Sequence, residues 1–145
     1  PESAPGWKGV SVRGPPPRWA EVVLRALRPK VYNLRRRLPE ATRFIAVLKA
    51  DGYGHGARQV AEAALAAGAW GLAVVTLEEA AAIRDLLPVE RILVLGPLLV
   101  ADAPEAAGAG YAVGESRIEV ARALSAAAGS RKVPLHPKLD SGMGR

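Results

Sequence analysis

The sequence predicts an α/β protein built around parallel strands, and three observations carry that reading. Its strand-like segments, such as "RFIAVLK" (43–49) and "RILVLG" (91–96), are continuous apolar runs and do not alternate with polar residues. That is the pattern of strands covered on both faces. Helical patterns separate these runs at regular intervals, as right-handed βαβ units require. Half of the 145 residues are hydrophobic, enough for one domain with a real core.

Each element has a local reason. Residues 1–17 are rich in Pro, Gly and Ser and read as an N-terminal arm, so ordered structure is expected over 18–145. "RWAEVVLRAL" (18–27) opens it, with "AEVVL" (20–24) a short strand. "LRPKVYNLRRRL" (27–38) repeats Val31, Leu34 and Leu38 at helical spacing, and Pro29 suits a first turn. "RFIAVLK" is a buried strand, and "ARQVAEAALAAG" (57–68) a helix ending at Gly68. "WGLAVV" (70–75) is the next strand. "TLEEAAAIRDLL" (76–87) is a helix with Thr76 as N-cap and Glu79 three residues on, the spacing of a capping box. "RILVLG" is followed by a short helix, "ADAPEAAGAG" (101–110), then the strand "YAVG" (111–114). The helix "ESRIEVARALSAAAG" (115–129) and the strand "VPLHPKLD" (133–140) close the series. From "RFIAVLK" onward the count is five strands and four crossover helices. Both an open doubly wound sheet and part of a closed eight-stranded barrel fit it.

Composition excludes several classes of function. The net charge is +6 and the pI about 10.2. The basic residues are scattered, and the densest group, Arg35-Arg36-Arg37, reads as a solvated helix end and not as a nucleic-acid patch. No cysteine is present, so neither a disulfide framework nor a thiolate metal site exists, which fits a reducing, cytoplasmic compartment. The longest apolar run, "ILVLGPLLVA" (92–101), is broken by Gly96 and Pro97 and is too short to span a bilayer. His55 and His136 are too few and too far apart to argue for a metal.

Two clusters carry chemistry. In "AVLKADGYGHG" (46–56) an apolar strand runs into Lys49, followed by Asp51, Tyr53 and His55 among Gly52, Gly54 and Gly56. Sites in both candidate architectures form at the C-terminal ends of parallel strands, where Lys49 falls. A lysine amine partly removed from water is a nucleophile toward aldehydes, and the glycines let the backbone approach a ligand. The alternative is a lysine reaching solvent beside an ordinary turn. In "HPKLDSGMGR" (136–145), His136, Lys138 and Asp140 alternate and would share one face of a strand. The turn after them delivers Arg145, a natural clamp for a carboxylate or phosphate. Here the alternative is a polar edge strand and a loop arginine.

Taken together, the clusters resemble the alanine racemase family. "AVLKADGYGHG" is similar to that family's pyridoxal-phosphate lysine motif, and "HPKLDSGMGR" to its later H-x-K-x-D-[ST]-G-M-G-R segment. "AGAWGLAVVTLEEAAAIR", "ILVLGPL" and "RWAEVVLRAL" also resemble the family, in the right order. The resemblance covers about residues 18–145. It implies the N-terminal part, about five strands, of a (β/α)8 barrel of the TIM type, with the family's second β-domain absent from this chain. It implies that Lys49 carries pyridoxal phosphate as an aldimine and serves as an acid/base group at the substrate Cα. Tyr53 matches a tyrosine contacting the cofactor phosphate. Arg145 matches an arginine near the cofactor's phenolic oxygen and the substrate carboxylate. Lys138 matches a lysine often carbamylated in the family.

Further expectations follow from the same resemblance. They are alanine as substrate, D-alanine for peptidoglycan as product, and a homodimer of the full-length protein with a second catalytic tyrosine given across its interface. The 145-residue chain is expected not to racemise alone, lacking a C-terminal half or a complementary fragment. A racemase of another amino acid and a non-catalytic interaction module are the alternatives. Departures from the family pattern, Val23 in place of an aspartate and Pro137 in the last strand, leave Lys49, Tyr53 and Arg145 untouched.

Overall fold

A computed structural model describes residues 21–144. The expected arm over 1–17 and Arg145 lie outside the described residues. Among those described, five strands form one parallel sheet in the order β1-β2-β3-β4-β5. They are β1 (Ile45–Val47), β2 (Gly71–Val74), β3 (Ile92–Val94), β4 (Ala112–Glu115) and β5 (Leu135–Pro137). Each strand pairs with its successor, as Ala46 with Leu72 and Val94 with Val113. A doubly wound sheet reverses direction at a switch point. This one never does, so right-handed crossovers carry every connecting helix to the same face, as in a barrel wall. Strand order thus decides what periodicity left open.

The helices are α1 (Leu27–Arg35), α3 (Ala57–Ala66), α4 (Leu77–Ala81), α5 (Ala103–Ala109) and α6 (Ile118–Ala128), with a single left-handed turn, α2 (Lys49–Gly54), after β1. α3 faces the core with Ala61, Ala63 and Ala64, and α6 with Val120, Leu124 and Ala128 at four-residue spacing. α5 carries Pro104 in its first turn and ends at Gly110 in the left-handed region, at φ 79°. The largest fully buried side chains include Leu72, Val74, Ile83, Ile92, Val94 and Val113, from the three central strands and the α4 segment. The capping box is present as read: Glu79 N donates to Thr76 Oγ1, and the Glu79 carboxylate accepts from Thr76 N.

Three expectations are corrected. No strand forms over residues 21–24: a 3-10 turn spans Leu24–Ala26 and leads into α1. Among the described residues no strand flanks β1 on its outer side to receive it. An unpaired strand would strand its backbone groups, so Val22 and Val23 stay exposed. α1 stops at Arg35, three residues short of Leu38, with only Val31 buried and Leu34 exposed. α4 gives way to turns after Ala81, and the turns keep Ile83 in the core.

At the N-terminal edge of the sheet, away from Lys49, Trp70 is flanked by Arg43 and Arg91, with guanidinium carbons 4.5 and 5.2 Å from its ring centroid. No helix among the described residues is long and apolar enough to cross a membrane.

Candidate active site

The site begins where β1 ends. Leu48, 1% exposed, prolongs the ladder by donating from its amide to Ala73 O at 2.7 Å. Lys49 follows directly, half-buried at the C-terminal end of the strand, as its position in the sequence predicts. The chain then enters α2, in which Ala50, Asp51, Gly52 and Tyr53 all take left-handed φ/ψ values near +55°, +45°. Each non-glycine residue there costs about 1–2 kcal/mol, so the turn must be held from outside itself. Gly52 N donates to Leu48 O at 2.7 Å. Asp51 Oδ1 accepts from Ala57 N at 2.7 Å, at the first residue of α3. The His55 ring lies with Nδ1 3.0 Å from Gly52 O. Gly52 is the one buried residue of the turn, and a Cβ there would meet the Ala57 backbone at 3.3 Å.

Glu79 holds the beginning of the turn. Its Oε1 accepts from Ala50 N at 2.7 Å, while Oε2 accepts from Val75 N at 2.7 Å and Thr76 N at 3.3 Å. Partial burial pushes the Glu79 carboxyl up, but the hydrogen bonds from Val75, Ala50 and Thr76 outweigh it and hold the group below its ordinary range. The spacing that marks a capping box in the sequence identifies one of these contacts. Nothing in the sequence indicates the contact to Ala50, 29 residues away.

The Lys49 amine stands 5.9 Å from the centre of the exposed Tyr53 ring and makes no ion pair among the described residues. A cleft of about 560 Å³ opens on the other side of α2, lined by Tyr53, His55, Val47 and part of the segment 21–30. Lys49 is not among the residues that line it.

The second cluster is arranged differently from its reading. β5 ends at Pro137, so His136, Lys138 and Asp140 do not share one strand face. Lys138 continues the ladder by one bond, its amide donating to Glu115 O at 2.9 Å. Its amine crosses β4 above Gly114 to donate to Leu95 O at 3.0 Å. The Asp140 carboxylate accepts from Gly142 N at 2.9 Å and from Gly144 N at 3.1 Å, and these bonds turn the chain away from the sheet. Lys49 and Lys138 therefore lie at the same edge, at the ends of the first and last strands of the sheet.

Glu115, 4% exposed at the end of β4, is a residue that sequence reading places only at a helix start. Its Oε1 accepts from Ser116 N at 2.8 Å, Arg117 N at 3.0 Å and Arg117 Nε at 3.2 Å. Arg117 Nη2 also donates to Leu98 O. Burial pushes the Glu115 carboxyl up, but the Arg117 side chain, the two amides and the Arg117 charge together lower it to about 2. The loop after β3 is thus pinned twice, at Leu95 by Lys138 and at Leu98 by Arg117.

A parallel sheet that advances one strand at a time, with a lysine on a constrained turn at the C-terminal end of its first strand, defines a barrel domain of the kind that carries its site at that face. The chain matches the family model for the alanine racemase N-terminal domain over residues 22–145, and it belongs to that family. It is 48% identical over 130 residues to the alanine racemase of Geobacillus stearothermophilus, covering 88% of this chain and 33% of that protein. The crystal structure of alanine racemase from E. faecalis superposes with a TM-score of 0.76 at 36% identity, over 86% of this chain and 34% of that one. Alanine racemase from Bartonella henselae, solved with covalently bound pyridoxal phosphate, gives 0.76 at 25% identity, over 86% and 37% of the two chains. The sheet is thus the N-terminal part of a TIM-type barrel, and the chain spans about a third of the length of the relatives it matches.

Proposed function

We propose that this chain is the lysine-bearing part of an alanine racemase that uses pyridoxal phosphate to interconvert L- and D-alanine. The observation that carries the reading is Lys49: a half-buried amine at a strand end, free of carboxylate partners among the described residues, on a turn held by backbone hydrogen bonds. The donor chemistry fits the cofactor. A primary amine suits its aldehyde, and the Tyr53 hydroxyl, on an exposed side chain beside that amine, suits a phosphate oxygen. Arg145, with five fixed donors, would face the phenolic oxygen and the substrate carboxylate.

When bound, the cofactor supplies an electron sink for the pair left at Cα. Lys49 would hold it and would act on one face of Cα, taking the proton in one direction of the reaction and giving it in the other. Proton transfer on the opposite face would fall to a second group, a tyrosine given by the partner subunit of a homodimer. Carbamylation of Lys138 would replace its positive charge by a negative one and give Arg145 a partner. D-alanine made in the cytoplasm would serve peptidoglycan synthesis.

The test is covalent. Pyridoxal phosphate is added to the chain, the mixture is reduced with borohydride, and the labelled peptide is sequenced. The label is expected on Lys49, and Lys49→Ala should lose it. A label spread equally over Lys30, Lys132 and Lys138 would overturn the proposal.

A further inference from the structure

Glu79 belongs to neither of the two clusters, yet it touches the residue that follows Lys49. A capping-box glutamate needs one oxygen for the N-cap amide. Here Oε2 meets that need, at Val75 N and Thr76 N, and Oε1 is left to reach Ala50 N at 2.7 Å. Ala50 sits at φ 52°, the first of the left-handed residues. Its amide precedes the turn's own hydrogen bonds, the first of which runs from Gly52 N to Leu48 O. Glu79 therefore ties the end of β2 and the start of α4 to the residue after the lysine. Asp51 ties the far side of the same turn to α3. The ionised carboxylate is the stronger acceptor for this task.

We propose that Glu79 is a positioning residue for Lys49: by anchoring the Ala50 amide it fixes the direction in which the lysine side chain leaves the strand. This rests on the functional reading above only for what the amine does once placed. Thr76→Ala is the control, since it removes the other half of the capping box and leaves the Glu79–Ala50 contact in place.

The experiment follows amide hydrogen exchange by NMR in the 145-residue chain, together with borohydride-trapped pyridoxyl label on Lys49. Glu79→Ala is expected to speed exchange at Ala50 at least tenfold and to lower the Lys49 label about tenfold. Thr76→Ala should change neither by more than twofold. The proposal is overturned if Ala50 exchange in Glu79→Ala stays within twofold of the parent, if Thr76→Ala raises it equally, or if the Lys49 label is unchanged while Ala50 loses protection. Should Glu79→Ala not fold, Glu79→Gln replaces it. With a single acceptor oxygen it cannot hold Ala50 and Val75 together, so exchange must rise at one of them, and protection of both would overturn the anchor. Failure of the functional reading looks different: the parent chain would take no label on Lys49, and exchange at Ala50 would still decide the anchor.

Discussion

Ala50 shows at the scale of one residue how the site is built. It holds φ 52° and ψ 54° without being glycine, next to the lysine that the fold presents at its strand end. Asp51 and Tyr53 share the conformation. Replacing Ala50 by glycine would relieve about 1–2 kcal/mol of left-handed strain and cost about 0.5–1 kcal/mol of backbone entropy. Ala50→Gly is therefore expected to stabilise the chain by about 0.5–1 kcal/mol. Urea unfolding checks this as a higher midpoint at unchanged slope. The lysine, the tyrosine and the glycines of this turn were legible in the sequence. Its handedness was not, because alanine and tyrosine rarely enter that region and two hydrogen bonds, to Glu79 and from Ala57, hold the turn there from outside.

At the scale of elements, the strand pairs set tolerances that single residues must meet. A Cβ on Gly96 would lie 2.2 Å from Val75 O, a backbone atom of the neighbouring strand end, whereas Gly108 in α5 has nothing within 4 Å. Gly96→Ala is expected to destabilise by about 1–3 kcal/mol through overpacking. Gly108→Ala should instead stabilise by about 0.5–1 kcal/mol, since alanine suits a helix interior better. Thermal melts of the two variants should move in opposite directions. In the sequence one glycine breaks an apolar run and the other sits in an alanine-rich helix, and neither context shows how much room a Cβ would have. Only strand adjacency separates them. The same holds for "AEVVL", whose apolar pattern suits a strand but which has no strand beside it to pair with.

Across the whole molecule, the buried charge at Glu115 couples folding to pH. Its carboxyl is lowered from the ordinary 4.5 to about 2 in the folded chain, so the folded state favours the ionised form. That contribution is fully present above the unfolded value of 4.5 and is lost as pH falls through the folded value of about 2. The shift corresponds to about 3 kcal/mol. Unfolding free energies measured from about pH 5 to pH 2 should therefore fall more steeply in the parent than in Glu115→Gln. Equal slopes would show that Glu115 does not carry the dependence.

Local chemistry in the sequence was enough for the class of fold, the five strands and four crossovers, the capping box at Thr76 and Glu79, and Lys49 at the end of its strand. Each depends on hydrophobic continuity, helix-start spacing or residue type within a short window, and neighbours in sequence determine such features. Tertiary structure alone decided the strand order that makes the sheet a barrel wall, the left-handed turn after Lys49, the reach of Glu79 to Ala50, and the pairing of buried Glu115 with Arg117, which pins the loop after β3. Lys138 bonding Leu95 across β4 belongs with these. The reason is physical: the strand order, the bond from Ala50 to Glu79, the bond from Arg117 to Leu98 and the bond from Lys138 to Leu95 all join different strand ends, and only the folded sheet sets the distance between those ends.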